Sequence, residues 1–341
     1  MRVFRQLLLL IASFSAWSQS NNCSKEVGIS KVVCLAESFK ATLNKDQLTS
    51  LQLSYSKGDA VRWSNFPQAF ARPSRVGLSL GSLDADQFSA FQKLMKAVLS
   101  DNLNEGIGEL QGALYADTYF GEKTGKTNVF GSNYFVIVFL GNPAGQLWEL
   151  MFGGHHFAFA NTYSRGKLVG ATPSFRGVEP LQPIQVNDRS YDPLEDERQT
   201  FAEVLNALSN EQKVIARVSP PGGDVLLGPG RDNEFPTTKS GIRIGTLGKN
   251  VTQKIIKAIG LYVNDLDSVA AGEIMKKYEA EIADTYLSYA GSGTMTESND
   301  YIRLDGPNLW IEYSAQPSRD FPGTSHPHSV WRDRKTDYGG N

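Results

Sequence analysis

Past its first twenty residues, this chain has no apolar run near the ~18 residues that a membrane-spanning helix needs. That excludes a span from the rest of the sequence. It has no excess of either charge: 34 basic and 36 acidic residues leave −2. No basic block is present, and without one nucleic acid is a poor partner. The chain contains no G-x-S-x-G elbow, no phosphate loop, no H-E-x-x-H and no dinucleotide fingerprint. Pro220-Pro221-Gly222-Gly223 and Leu227-Gly228-Pro229-Gly230 read as loop punctuation. Cysteine and histidine are the scarce reactive residues, two of the first and four of the second.

The first twenty residues read as a secretory signal peptide. Arg2 and Arg5 form a positive start, Leu7 to Trp17 a short apolar core, and Ala16, Ser18 and Ser20 supply small residues for cleavage. Residues 21–341 are then expected as one unit, periplasmic or secreted, with no membrane span once the signal is removed. The two cysteines, Cys23 and Cys34, follow at once. In an exported chain, two close cysteines read as one disulfide. Both lie far in sequence from every histidine and are not counted as ligands.

The 11% aromatic content and 32 glycines point to a strand-containing globular protein. Leu43-Asn44-Lys45-Asp46-Gln47, Leu83-Asp84-Ala85-Asp86-Gln87 and Leu208-Ser209-Asn210-Glu211-Gln212 share one pattern: a small polar residue with Gln three later. Each predicts a capping box and a helix start. Phe88, Phe91, Leu94, Met95 and Val98 are spaced for one face of a helix over 88–100. Residues 266–289 read as a long helix. Arg75-Val76-Gly77-Leu78 and Gly241-Ile242-Arg243-Ile244 precede two of the helix starts. A weak internal duplication is one reading, and shared capping chemistry is the other. Tyr134 to Leu140, a Gly-Asn-Pro-Ala-Gly turn and Gln146 to Phe152 predict a β-hairpin. Tyr301 to Leu304, Asp305 to Asn308 and Leu309 to Ser314 predict another. The fold class expected is α+β, with helices packed against largely antiparallel sheet.

All four histidines fall in two tight pairs, His155-His156 and His326-Pro327-His328. Each pair follows a predicted hairpin. Imidazole is the commonest protein ligand for transition metals and titrates near neutral pH. Pro327 favours extended backbone around it, and residues two apart on an extended segment point to one side. His326 and His328 can therefore reach one ion. His155 and His156 are adjacent, so a regular strand sends them to opposite faces. His155 would share a face with Phe157 and Phe159, and His156 with Ala158 and Ala160. Small neighbours leave room, so His156 is the expected ligand and His155 a residue of the pocket wall, unless Gly153-Gly154 forms a bulge and both are ligands.

Three acids and an arginine could complete such a centre. Glu312 is a lone charge in the apolar run Leu309-Trp310-Ile311-Glu312-Tyr313, and is the candidate base or the solvent face of an edge strand. Asp333 could accept an imidazole N–H and orient the ring, or simply pair with Arg332. Glu179 is a looser candidate for the same supporting role.

These residues resemble a bacterial family known as domain of unknown function family 3500. The resemblance rests on Trp63-Ser64-Asn65-Phe66-Pro67, on Arg75 with Gly77-Leu78, and on Phe152-Gly153-Gly154-His155-His156. It continues through Thr172-Pro173-Ser174-Phe175 with Gly177 and Glu179-Pro180, then Asp305-Gly306-Pro307 with Trp310 and Glu312. It ends on His326-x-His328 with Trp331-Arg332-Asp333 and Asp337-Tyr338-Gly339. It runs in order along nearly the whole chain, which implies one family-length unit. The family has no agreed activity, so the resemblance implies no reaction. Phe157 stands where an aliphatic residue is expected after the double histidine, and would narrow the pocket.

The reading that follows is an exported metalloenzyme with a mononuclear histidine centre, acting as a hydrolase on a small molecule or polymer fragment. Zinc is the expected ion and copper its rival, with a copper-dependent oxidoreductase as the matching alternative. A protein that binds or handles metal or another ligand without catalysis is the third reading.

Overall fold

The computed structural model of the protein describes residues 23–102 and 104–341. The expected signal segment lies outside the described residues. Cys23 and Cys34 form a disulfide. The helices are α1 (Gly28–Ala41), α2 (Lys45–Leu51), α3 (Lys57–Ala60), α4 (Ala85–Val98), α5 (Ile107–Thr124), α6 (Glu195–Asn206), α7 (Asn210–Ala216), α8 (Lys249–Val263) and α9 (Ser268–Glu281). The strands of the first half are β1 (Gln52–Leu53), β2 (Leu78–Ser79), β3 (Val136–Gly141), β4 (Leu147–Gly154), β5 (Phe157–Ser164), β6 (Lys167–Gly170) and β7 (Ser174–Gly177). A small hairpin follows, β8 (Ile184–Val186) and β9 (Arg189–Tyr191). The last strands are β10 (Ile242–Arg243), β11 (Tyr286–Ala290), β12 (Tyr301–Asp305), β13 (Leu309–Pro317) and β14 (Ser325–Asp333).

Twelve strands make one sheet in the order β1-β3-β4-β5-β7-β14-β13-β12-β11-β10, with β2 on β3 and β6 on β5. All its strand pairs are antiparallel except β1 with β3. The fold is the expected α+β class, in a single domain. None of the helices among the described residues is long and apolar enough to cross a membrane.

The order of elements recurs on either side of the central β7–β14 pair. α2 leads into β1, which lies parallel to β3, while α7 leads into Arg217, bridged in parallel to Tyr289 of β11. β2 and a 3-10 turn precede α4, as β10 and a 3-10 turn precede α8. Gly77 and Gly241 hold matching places, with φ of +135° and +95°; a Cβ there would strike the carbonyl of Ile137 or Leu287 on the neighbouring strand. All three sequence-read capping boxes form, at Asn44, Asp84 and Ser209. Their local chemistry is enough to set those starts, since the cap oxygen and the Gln amide each satisfy an otherwise unpaired amide.

One expected element is different. Asp267 caps a new helix by accepting from Val269 and Ala270, and α9 stops at Glu281. Tyr286 to Ala290 is a strand, where Leu287 and Tyr289 alternate into the helix-side core. The helical reading of 266–289 missed this change of period, because both patterns place leucine and tyrosine at usable positions.

Both faces of the sheet are covered, which is why β3 is apolar throughout. Ile137 and Phe139 meet the helices, while Val138 and Leu140 meet the other face. That other face is covered by loop-rich chain from the first half, including Trp63, and from the second half, including Val225. Buried polar residues also lie on it. Glu149 of β4 has no solvent exposure; Thr162 donates to one oxygen and the other has no partner. Burial pushes its carboxyl up to about 7. The folded protein therefore holds a proton that the unfolded chain releases above its ordinary value of 4.5. The contribution of Glu149 to stability should be full below pH 4.5 and fall by roughly 3 kcal/mol as pH rises to about 7. Glu149→Gln should flatten that fall. Urea unfolding at pH 4.5 and pH 8 measures it, and an equal pH dependence in the variant would refute it.

Candidate metal centre

The two histidine pairs converge on the loop-covered face, at the β7–β14 junction. His155 and His156 form the two-residue turn between β4 and β5, instead of following a hairpin as strand residues. Gly154 and Phe157 close the hairpin around them. His156 takes φ of 63°, the left-handed region. Its amide donates to the Asn65 carbonyl at 3.1 Å, and its carbonyl accepts from Gly177 at 2.6 Å. Neighbouring backbone therefore holds this residue in a conformation that a non-glycine residue rarely adopts. In this turn the His156 ring faces the other pair, and the His155 ring stacks on its far side.

His326 and His328 lie two apart on β14, flanking Pro327. Nε2 of His326 is 2.9 Å from Nε2 of His156 and 3.0 Å from Nε2 of His328. The three ring nitrogens form a group that could hold a metal ion. Gly177 makes the approach possible, since a Cβ there would lie 2.9 Å from the His328 ring and 3.2 Å from the His156 ring. His156 and His328 are buried, while His326 keeps 17% of its side chain open. Burial, reinforced by the other imidazoles, holds His156 well below the usual histidine range. Burial first, then His328, pushes His326 down to about 2. Both rings are neutral at ordinary pH, as a metal ligand must be.

The far nitrogens of two of these rings face carboxylates. Nδ1 of His328 lies 2.9 and 3.0 Å from the two oxygens of Asp224. Nδ1 of His326 lies 3.5 Å from Glu179, whose other oxygen accepts from Ser318 and Arg319. With the ring protons on the Nδ1 side, every Nε2 at the centre of the group presents a lone pair. The other tautomer at His326 relieves only one of the two close contacts and leaves a bare nitrogen facing Glu179. A cation between the nitrogens satisfies all of them, so the donor set fits a transition metal.

His155 is not in the group. Its ring stacks on that of His156 at 3.6 Å, and its Nδ1 lies 2.6 Å from Asp117 of α5. Phe130 and Phe120 pack against it at 4.9 and 5.8 Å. Arg75 braces the turn from the loop side. Its guanidinium donates to the carbonyls of Gly154 at 2.6 Å and Ser64 at 2.7 Å, and to that of Phe66. Burial lowers this guanidinium to about 10. One buried cation thus ties the histidine turn to the Trp63–Pro67 loop.

Of the supporting residues read from sequence, only Glu179 reaches a histidine. Glu312 is fully buried, and its oxygens accept from Leu226 N, Leu227 N, Tyr301 Oη and Trp310 Nε1 at 2.7–3.0 Å. All four acceptor directions are used on structural donors, so Glu312 sits as an anchor for the segment after Asp224, not as a base at the histidines. Asp333 accepts from Lys277, Tyr278 and the amides of Lys335 and Thr336 on the opposite face. It orients no imidazole. Arg332 is buried between Asp232 and Asp337, so the surface pair with Asp333 does not form. Phe157 points into the helix-side core with Phe152 and Phe159 and does not narrow the site.

Sequence reasoning missed Asp117, Asp224 and the bracing role of Arg75. Asp117 was findable: Ala113, Phe120 and Gly121 share its helix face, and all are buried. A lone carboxylate on such a face needs a partner. Asp224 carried no signal beyond following a Pro-Pro-Gly-Gly loop.

A family model described as protein of unknown function (DUF3500) matches residues 25–340. The chain belongs to that family. No curated protein and no solved structure matches it.

Proposed function

We propose that this member of the family is an exported metalloenzyme, with His156, His326 and His328 holding one transition-metal ion for hydrolysis. The observation that carries the reading is the convergence of three Nε2 atoms, with carboxylates behind two of the rings. Three protein nitrogens are the usual ligand number of a catalytic zinc site, which keeps one position for water or substrate. Zinc bound there would supply Lewis acidity and lower the pKa of a coordinated water. The chain's own residues do the rest. Asp224 and Glu179 fix the ring orientations of His328 and His326. His155 backs His156, held in turn by Asp117. Arg75 and the Asn65 carbonyl hold the turn. Glu312 keeps the loop of Asp224 in place. Export rests on the N-terminal sequence and is consistent with the disulfide.

A second reading is copper with oxidoreductase chemistry, since imidazole suits copper as well as zinc and the group of His156, His326 and His328 would hold either ion.

Protein purified from an exporting host without chelator should carry one metal ion per chain by elemental analysis. Hydrolysis of a panel of esters and amides should disappear on chelation and return with zinc. Copper retained in preference, with an axial paramagnetic spectrum, would replace the hydrolase with the oxidoreductase. One retained ion with no turnover on either chemistry would favour metal handling. A dialysed protein that retains no ion would remove the metal reading.

A further inference from the structure

A cleft of about 70 Å³ lies beside the histidines, under the Pro220–Gly223 loop. Its floor is β13. Ser314 of that strand is the register partner of His328, and Gln316 is the partner of His326. Directly paired residues share a face, and neighbouring strands lie about 4.8 Å apart. The cleft is therefore next to the histidine group on the same side of the sheet, and the Gln316 amide is 3.2 Å from Nδ1 of His328. The loop that roofs it runs straight into Asp224, the carboxylate on that same nitrogen.

Its lining has a distinct chemistry. Pro220, Pro221 and Tyr301 give apolar walls, while Asn299, Ser314 and Gln316 offer an uncharged set of donors and acceptors. No charged side chain lines it. The nearby acids have partners of their own: Glu312 accepts four hydrogen bonds, including that from Tyr301, Asp300 accepts from Ser292, Thr294, Thr296 and Glu297, and Asp224, next to Gly223, is turned to His328. A carboxylate entering here would lose its water and meet no basic side chain in the lining, which is costly. An uncharged polar group would find partners. At roughly 30 Å³ per water in the liquid, the space takes about two waters, or the polar end of a small amide or alcohol.

We propose that this cleft is the substrate's recognition subsite, taking a neutral amide or hydroxyl group next to the bond presented to the histidine centre. The inference rests on the metal reading above and adds the class of substrate: one carrying an uncharged hydrogen-bonding substituent a few bonds from the reacting group.

Zinc-loaded protein can be titrated with three hydroxamates that share a metal-binding head. Acetohydroxamate has no tail, N-acetylglycine hydroxamate carries a neutral acetamido tail, and succinic monohydroxamate carries a carboxylate of similar length. The acetamido compound should bind about tenfold more tightly than acetohydroxamate, the effect of one net hydrogen-bonding contact. The carboxylate compound should bind no better than acetohydroxamate. Within Ser314→Ala, which removes the hydroxyl and adds no bulk, the acetamido-to-acetohydroxamate ratio should fall to about one. Asn299→Asp should lower that ratio too, and further weaken the carboxylate compound. Asn299 has φ of 72°, a conformation that Asp tolerates, so the two variants fail independently if one does not fold. Bound zinc with a wild-type ratio near one overturns the subsite alone. A protein that retains no zinc overturns the subsite and the metal centre together.

Discussion

His326→Ala and His328→Ala should each abolish retention of a metal ion by the dialysed protein, and His156→Ala should do the same. Each removes one of three nitrogens that lie 2.9–3.0 Å from a neighbour in the group. Two remaining imidazoles do not fill the inner shell of a tightly held ion. His155→Ala should weaken binding much less, by about 10–100-fold, the usual cost of losing a group that supports a ligand from behind. The reason is geometric: the His155 ring stacks on His156 and turns its Nδ1 to Asp117, away from the other pair. Calorimetric titration of the four variants with zinc gives the comparison. Equal losses at His155 and His156 would mean that both are ligands. Unchanged binding in all four would leave the chain without this centre.

Glu312→Ala should destabilise the protein by at least about 3 kcal/mol, because it leaves four buried donors without an acceptor. Two of those donors are the amides of Leu226 and Leu227, so the loss should also free the segment that carries Asp224. The expected signature is a lowered unfolding midpoint together with weaker metal binding. Glu312→Gln separates an anchor from a base. It keeps the shape and half of the acceptors, and should restore part of the stability. A base would behave otherwise: Glu312→Gln would keep the unfolding midpoint of the native protein and lose catalysis by orders of magnitude. That outcome would return Glu312 to the chemistry. Burial raises its carboxyl above the ordinary range, even though four hydrogen bonds oppose the shift. That is also the behaviour of a buried structural acid, so the titration alone does not decide the role.

Much of the architecture could be read locally. Capping boxes need only residues three apart, and all three form as the spacing requires. The hairpins around Gly141–Gly145 and Asp305–Asn308 need only alternating apolar residues and a turn. The facing of His326 and His328 follows from extended backbone around one proline. The disulfide joins cysteines eleven apart, close enough to meet within one turn and one helix. In all these cases the interacting groups are tied by a few covalent bonds, so the chain has little freedom to place them otherwise.

What surrounds the histidines was decided at longer range. His328 and Asp224 are 104 residues apart, and His326 and His156 are 170 apart. Glu312 illustrates the limit. A lone acid in an apolar strand is a buried carboxylate in need of partners whether it anchors or reacts, and the sequence by itself does not say which donors arrive. Here two amides, a tyrosine and a tryptophan take it, while Asp224, which only follows the Pro-Pro-Gly-Gly segment in the sequence, reaches the imidazole. Asp333 and Arg332 likewise followed strand parity to opposite faces and found partners there. The sequence by itself determined which residues are scarce, which helices start where, and which histidines can share a side. Only the tertiary structure decided which carboxylates meet them. Side-chain direction is a property of a few neighbouring residues, whereas a hydrogen bond between distant segments depends on how the whole sheet closes.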